Sequence, residues 1–98
     1  MDAKIIETIR HYFATQPVTK AWIFGSFSRG EETPNSDIDI LVNYDRSQPI
    51  GLFKIAGMSV DLEELLERKV DLVEEKCLFP WVVDSVNRDK KLIYARGN

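Results

Sequence analysis

Two aspartates, Asp37 and Asp39, are set into a run of strand formers: Ile38, Ile40, Leu41 and Val42. No other feature of the chain limits its fold as sharply. Strand side chains alternate faces, so the two acids project one way while Ile38, Ile40 and Val42 project the other. One face of the resulting sheet must be core, and the other must carry two carboxylates a few ångströms apart. Like charges at that range repel, and each raises the other's pKa unless a cation lies between them. Asp-X-Asp by itself commonly marks a solvated strand face, so its meaning depends on what the rest of the chain brings beside it.

The spacing predicts a strand over 37–44. Upstream, Ile5, Ile6, Ile9 and Phe13 fall at helical spacing, which predicts a helix over 3–14 with Asp2 as its cap and Pro17 beyond its end. The β-prone run 18–24 closes on Gly25, and residues 26–29 are expected to form one helical turn stopped by Gly30. A longer helix is expected over 52–68, with Leu52, Ile55, Ala56, Leu62, Leu65 and Leu66 in register and Gly57 weakening its middle. A third strand over 69–74 and a helix opening at Pro80 and running to about residue 88 follow. Residues 92–95 fit either a last strand or a helical tail. Helices interleaved with short strands predict a small mixed α/β layer fold.

The 98 residues suit a single domain over 1–98, and a hydrophobic fraction of 44% allows a small core. A net charge of −3 supplies no bulk attraction for nucleic acid, so no direct nucleic-acid partner is expected. One cysteine, Cys77, forms no internal disulfide, which fits a reducing compartment. With no membrane-length apolar run and no signal-like N-terminus, the expectation is a cytoplasmic protein without a membrane partner.

The paired acids are suited to a hard divalent cation. Mg²⁺ prefers oxygen ligands and usually takes one or two carboxylates together with substrate phosphates. Asp71, between Val70 and Leu72 in the third strand, is a third candidate if that strand lies beside the second. Three convergent acids can hold two metals and accept a proton from an attacking hydroxyl. The turn in front supplies complementary chemistry. Gly25 permits close backbone approach and Ser26 offers a hydroxyl, while a helical turn opening there aims free N–H groups at an anion. Arg29 is placed either to meet a phosphate or to form an ion pair that steadies the loop. The spacing is not that of a Walker A loop.

Gly25-Ser26, Arg29-Gly30, Ser36-Asp37-Ile38-Asp39 and the later Asp71 resemble the signature of the DNA-polymerase-β-like nucleotidyltransferases. The phrases "GSFSRGEETPNSDIDILV" and "LEELLERKVDLVEE", with the chain's size, resemble their minimal nucleotidyltransferase (MNT) group. The resemblance implies a short mixed sheet with packed helices and transfer of a nucleoside monophosphate from an NTP to a hydroxyl. It implies Asp37, Asp39 and Asp71 as catalytic residues and ligands of two Mg²⁺ ions. Gly25, Ser26, Arg29 and Ser36 would bind the nucleotide, with ATP as substrate. No acceptor-holding segment is visible, so the acceptor is expected on another protein. Minimal members of the group often act beside an all-helical HEPN toxin, as antitoxins that adenylylate one of its tyrosines. Two other readings stay open: an antitoxin acting by contact alone, and a nucleotidyltransferase for an antibiotic or other small molecule.

Other conspicuous residues have ordinary expectations. His11 is expected on a solvated helix face and Cys77 as a small packed hydrophobe. Trp22 is expected in the core. Trp81 is expected to pack on the domain in preference to anchoring an interface. Glu63, Glu64, Glu67, Arg68 and Lys69 are expected to form a solvated, internally paired helix face in preference to a docking site for a basic partner.

Overall fold

In the computed structural model, which describes residues 3–97, four strands form one sheet in the order β3-β2-β1-β4. The elements are α1 (Ala3–Phe13), β1 (Val18–Phe24), α2 (Ser26–Arg29), β2 (Ile38–Tyr44), α3 (Leu52–Leu66), β3 (Val70–Glu74), α4 (Pro80–Asp89) and β4 (Lys91–Ala95). A 3₁₀ turn, Glu75–Cys77, separates β3 from α4. The expected cap, Asp2, lies outside the described residues.

β1 pairs antiparallel with both β2 and β4, whereas β2 and β3 run parallel. Parallel neighbours need a crossover, and α3 provides it. The expected mixed α/β layer fold is therefore the fold observed, and the ambiguous tail is an edge strand.

Alternation divides the sheet as the sequence requires. Ala21, Ile23, Ile38, Ile40, Val42 and Ile93 face α1 and α3, where Ile9, Phe13, Met58 and Leu62 complete the core. Burying this many branched and aromatic side chains supplies the main stabilisation, at about 25 cal/mol per Å² of apolar surface. The opposite face carries Phe24, Asp39 and Asp71 in one row, and Trp22, Leu41 and Val73 in the next. α4 lies on this second face.

Several expectations need correction. α3 stops at Leu66, because Glu67 takes a left-handed conformation at φ 54° and donates its N–H to the Glu63 carbonyl at 2.9 Å. Its core contacts come from Ile55, Met58, Leu62 and Leu66, while Leu52, Ala56 and Leu65 are exposed. The charged run at its end is not simply solvated. Glu63 accepts the Val70 N–H at 3.0 Å, and Arg68 reaches the Thr33 and Ser36 carbonyls. Trp22 is half-buried on the second face with Lys90 Nζ over its ring at 4.7 Å, so it is not a core residue. Trp81 is 77% exposed and stacks on Phe79 alone among the rings. Cys77 is exposed, not packed. His11 is exposed as expected and lies 3.4 Å from Glu7. Among the described residues, no helix is long and apolar enough to cross a membrane.

Candidate active site

The register of the sheet determines what stands beside what. Phe24 of β1 opposes Asp39, and Asp39 opposes Asp71 of the parallel strand β3. Two acids thirty-two positions apart thus become direct neighbours on one face. Asp37 is exposed, one residue before β2 begins. Ile38 anchors that entrance by donating its N–H to the Lys69 carbonyl at 2.9 Å.

The electrostatics reflect this crowding. Burial first, then the charges of Asp71 and Asp37, push the Asp39 carboxyl above its usual range, while Arg29 pulls it back. Asp39 is half-buried, so its charge is poorly compensated by water.

Gly25 closes the site from the β1 side. Its φ of 72° favours glycine, and an added Cβ would overlap Asp39 Oδ2. The Gly-Ser turn therefore lies against the carboxylate. α2 follows at once: the Gly25 carbonyl accepts from Ser28 N–H at 3.1 Å, Arg29 N–H at 3.3 Å and the Ser28 hydroxyl at 2.7 Å. The opening N–H groups of such a turn have no acceptor within it. Gly30 ends the turn in the left-handed region at φ 72°.

Arg29 forms ion pairs with Glu31 and, at 2.7 Å, with Asp89 at the end of α4. Of the two placements the sequence left open, the structure adopts the ion pair, and Arg29 bears on Asp39 through its charge. Ser36 ties its loop: its Oγ accepts the Thr33 N–H at 2.8 Å.

Residues the sequence did not single out complete the site. Leu78, Val82 and Val86, with Phe24 and Val73, line a cavity of about 330 Å³ that also touches Gly25, Arg29 and Asp71. Asp89 fixes Arg29 across the mouth of that cavity. Arg68 donates to the Thr33 and Ser36 carbonyls at 3.2 and 3.3 Å, with its guanidinium 5.0 Å from the centre of the Phe27 ring. Pro80 at a helix start was the available signal for the apolar wall. Nothing local distinguishes Arg68 or Asp89 from surface charges.

Among the described residues, no three His, Cys, Asp or Glu side chains converge closely enough to hold an ion as they stand. The donor set nevertheless suits a hard divalent cation. It is all oxygen, it pairs two carboxylates in register, and a cation there would relieve the repulsion that raises Asp39.

A mixed sheet presenting adjacent acids against a Gly-Ser turn places the protein among nucleotidyltransferase-like folds. The model of the nucleotidyltransferase domain family matches residues 3–94. A Methanocaldococcus jannaschii protein, provisionally named protein adenylyltransferase MJ0126, is 45% identical over 73 residues, covering 74% of this chain and 70% of its own. Protein adenylyltransferase MntA of Thermococcus cleftensis is 36% identical over 72 residues, covering 74% and 71%. The chain belongs to the nucleotidyltransferase domain family.

Two solved structures share the fold. A chain of a toxin–antitoxin complex with AMP-PNP superposes with a TM-score of 0.78 at 22% identity, covering 93% of this chain and 73% of that one. A chain of the Shewanella oneidensis complex of a tri-AMPylated HEPN toxin with its MNT antitoxin superposes at 0.63 with 22% identity, covering 95% and 68%.

Proposed function

We propose that this chain is an Mg²⁺-dependent protein adenylyltransferase. It transfers AMP from ATP to a hydroxyl, a tyrosine of a HEPN-type partner, and so acts as an antitoxin in the cytoplasm. The observation that carries the reading is the row in which Asp39 and Asp71 stand side by side with Gly25 closed against Asp39. The names of the protein adenylyltransferases above, and the AMPylated toxin bound to an MNT antitoxin, support the choice of acceptor.

In this reading Asp37, Asp39 and Asp71 would hold the metal ions, which when bound would supply neutralisation of phosphate charge and polarisation of the α-phosphate. Gly25 and Ser26 receive the β- and γ-phosphates on backbone N–H groups and a hydroxyl. Ser36 and Arg29 hold the flanks of the nucleotide site. Asp71 accepts the proton of the attacking hydroxyl. The new bond joins that oxygen to the α-phosphorus, and pyrophosphate leaves with the electrons of the broken bond.

The test uses ATP labelled at the α-phosphate, Mg²⁺ and a candidate HEPN-type partner. Label should appear on the partner. Asp71→Asn should leave Mg²⁺–ATP binding within a few-fold and cut transfer by about 10²-fold or more, the scale of general-base catalysis. Neutralisation of the partner by complex formation, with no label transferred, would replace this reading with contact alone.

A further inference from the structure

α3 is apolar on two sides, and only one of them is used. Met58 and Leu62 are buried in the core. Phe53, Gly57 and Val60 fall at i, i+4 and i+7 on the side turned away from it. Phe53 is 96% exposed, Leu52 84% and Val60 52%. Ala56 and Gly57 lie exposed between them, and a Cβ added at Gly57 would meet nothing within 4 Å. A contiguous apolar patch left exposed on a helix commonly marks a surface that a protein partner covers. The small residues leave a shallow middle into which a second helix can settle, since the distance between packed helices depends on the side chains at the crossing.

The charges beside this stripe indicate what covers it. Lys54 and Asp61 are both exposed, and their spacing of seven residues sets them on one flank of the helix. Lys54 is in none of the ion pairs among the described residues. Among the described residues Asp61 accepts only the Tyr12 hydroxyl, at 2.5 Å, which leaves its charge unneutralised. The midpoint between Lys54 and Asp61 falls between Gly57 and Met58, level with the shallow middle of the stripe. In a two-fold antiparallel pair, each flank meets the same flank of the other copy with its direction reversed. Lys54 then faces Asp61 of the second copy, and the contact occurs twice.

We propose that this protein pairs with a second copy of itself through the outward face of α3, the two helices antiparallel and crossing at Gly57. Phe53 of each copy fills the gap between Val60 and Glu64 of the other, and the two Lys54–Asp61 pairs set the register. The surface is formed on α3 alone and is independent of the transfer reaction.

Sedimentation velocity on the chain alone, from about 10 μM to about 1 mM, tests this across the affinity range of a small helix–helix interface. The protein should dimerise. Lys54→Glu and Asp61→Lys should each turn two attractions into two repulsions and weaken the dimer by about tenfold or more. Mixed in equal amounts, the two variants should pair with each other at close to the original strength, because every 54–61 contact is again attractive. Phe53→Glu changes a side chain that is almost fully exposed, so the fold survives the change and the dimer should be lost even if Asp61→Lys unfolds by depriving Tyr12 of its acceptor. A protein monomeric throughout the range overturns the proposal and leaves the stripe to a different partner. So does a dimer indifferent to Phe53→Glu, or a mixture of folded charge variants that stays monomeric.

Discussion

Asp39 holds the tension of the site at a single residue. It is half-buried, its β3 neighbour is Asp71, and its carboxyl titrates above the ordinary value of 3.8. A raised carboxyl pKa means that the folded state holds the proton more firmly than the unfolded chain. The ionised group therefore weakens the fold at neutral pH, and the penalty vanishes once the pH falls below about 4, where the group is protonated in both states. Asp39→Asn, which keeps the shape and removes the charge, should raise the Tm of the metal-free protein at pH 7 by a few degrees. The gain should shrink to nothing as the pH is lowered through that window. Transfer activity should be lost, because the change removes one of the carboxylates proposed to hold the metal. Scanning calorimetry at several pH values checks the first part. Added Mg²⁺ should raise the Tm of the parent and leave the Asn variant little changed.

At the scale of elements, strands and their alternation were readable and packing partners were not. Asp37, Ile38, Asp39 and Ile40 declare a two-faced strand by pattern, and Val70 with Leu72 places Asp71 on the matching face. Local turn chemistry gave α2 and its Gly30 stop. Helical spacing puts Leu52 and Leu65 in register with the core residues of α3, but spacing alone does not say which side of the helix another layer covers. Leu52 and Leu65 satisfy the period yet meet no layer, since α1 and the sheet cover one side of the helix only. Trp81 failed for a related reason: Pro80 announces the helix start, but which side of α4 meets the sheet is decided by residues far away. Arg68 shows the same limit in a polar group, because its acceptors lie more than thirty positions upstream. It grips the Thr33 and Ser36 carbonyls and covers the Phe27 ring, so it joins the end of α3 to the loop that delivers Asp37. Arg68→Ala should destabilise the protein by about 1–2 kcal/mol, the range for hydrogen bonds to a charged donor that is partly solvated. Lysine should recover only part, because it keeps the charge and loses the planar fork. Urea unfolding gives the energies, and hydrogen exchange should show faster exchange confined to residues 31–37.

Across the whole molecule, the last strand depends on one ionic knot. β4 is an edge strand with β1 as its only neighbour in the sheet. Beyond it, Arg96 donates its backbone N–H to the Thr19 carbonyl, Nη2 to the Gln16 carbonyl and Nη1 to Asp45 Oδ2, each at 2.8 Å. Asp45 in turn donates its backbone N–H to the Pro17 carbonyl at 2.8 Å. The knot thus joins the α1–β1 turn, the end of β2 and the end of β4. Hydrogen bonds from the Ser47 hydroxyl and N–H, then from Arg96, hold the Asp45 carboxyl down at about 2. The sign is opposite to that of Asp39. A folded-state pKa below the unfolded value gives stability that is fully present above about pH 4 and is lost as the pH falls toward 2. Asp45→Asn should therefore lower the Tm at pH 7 by a few degrees, and the deficit should close between pH 4 and pH 2. Over that same interval the parent loses the Asp45 contribution, whereas the Asp39 penalty has already been relieved at higher pH. The two single variants should thus depart from the parent in opposite directions at neutral pH and converge on it at the acid end. A deficit for Asp45→Asn that persists unchanged at pH 2 would mean that the knot acts through shape and packing, with the charge of Asp45 immaterial.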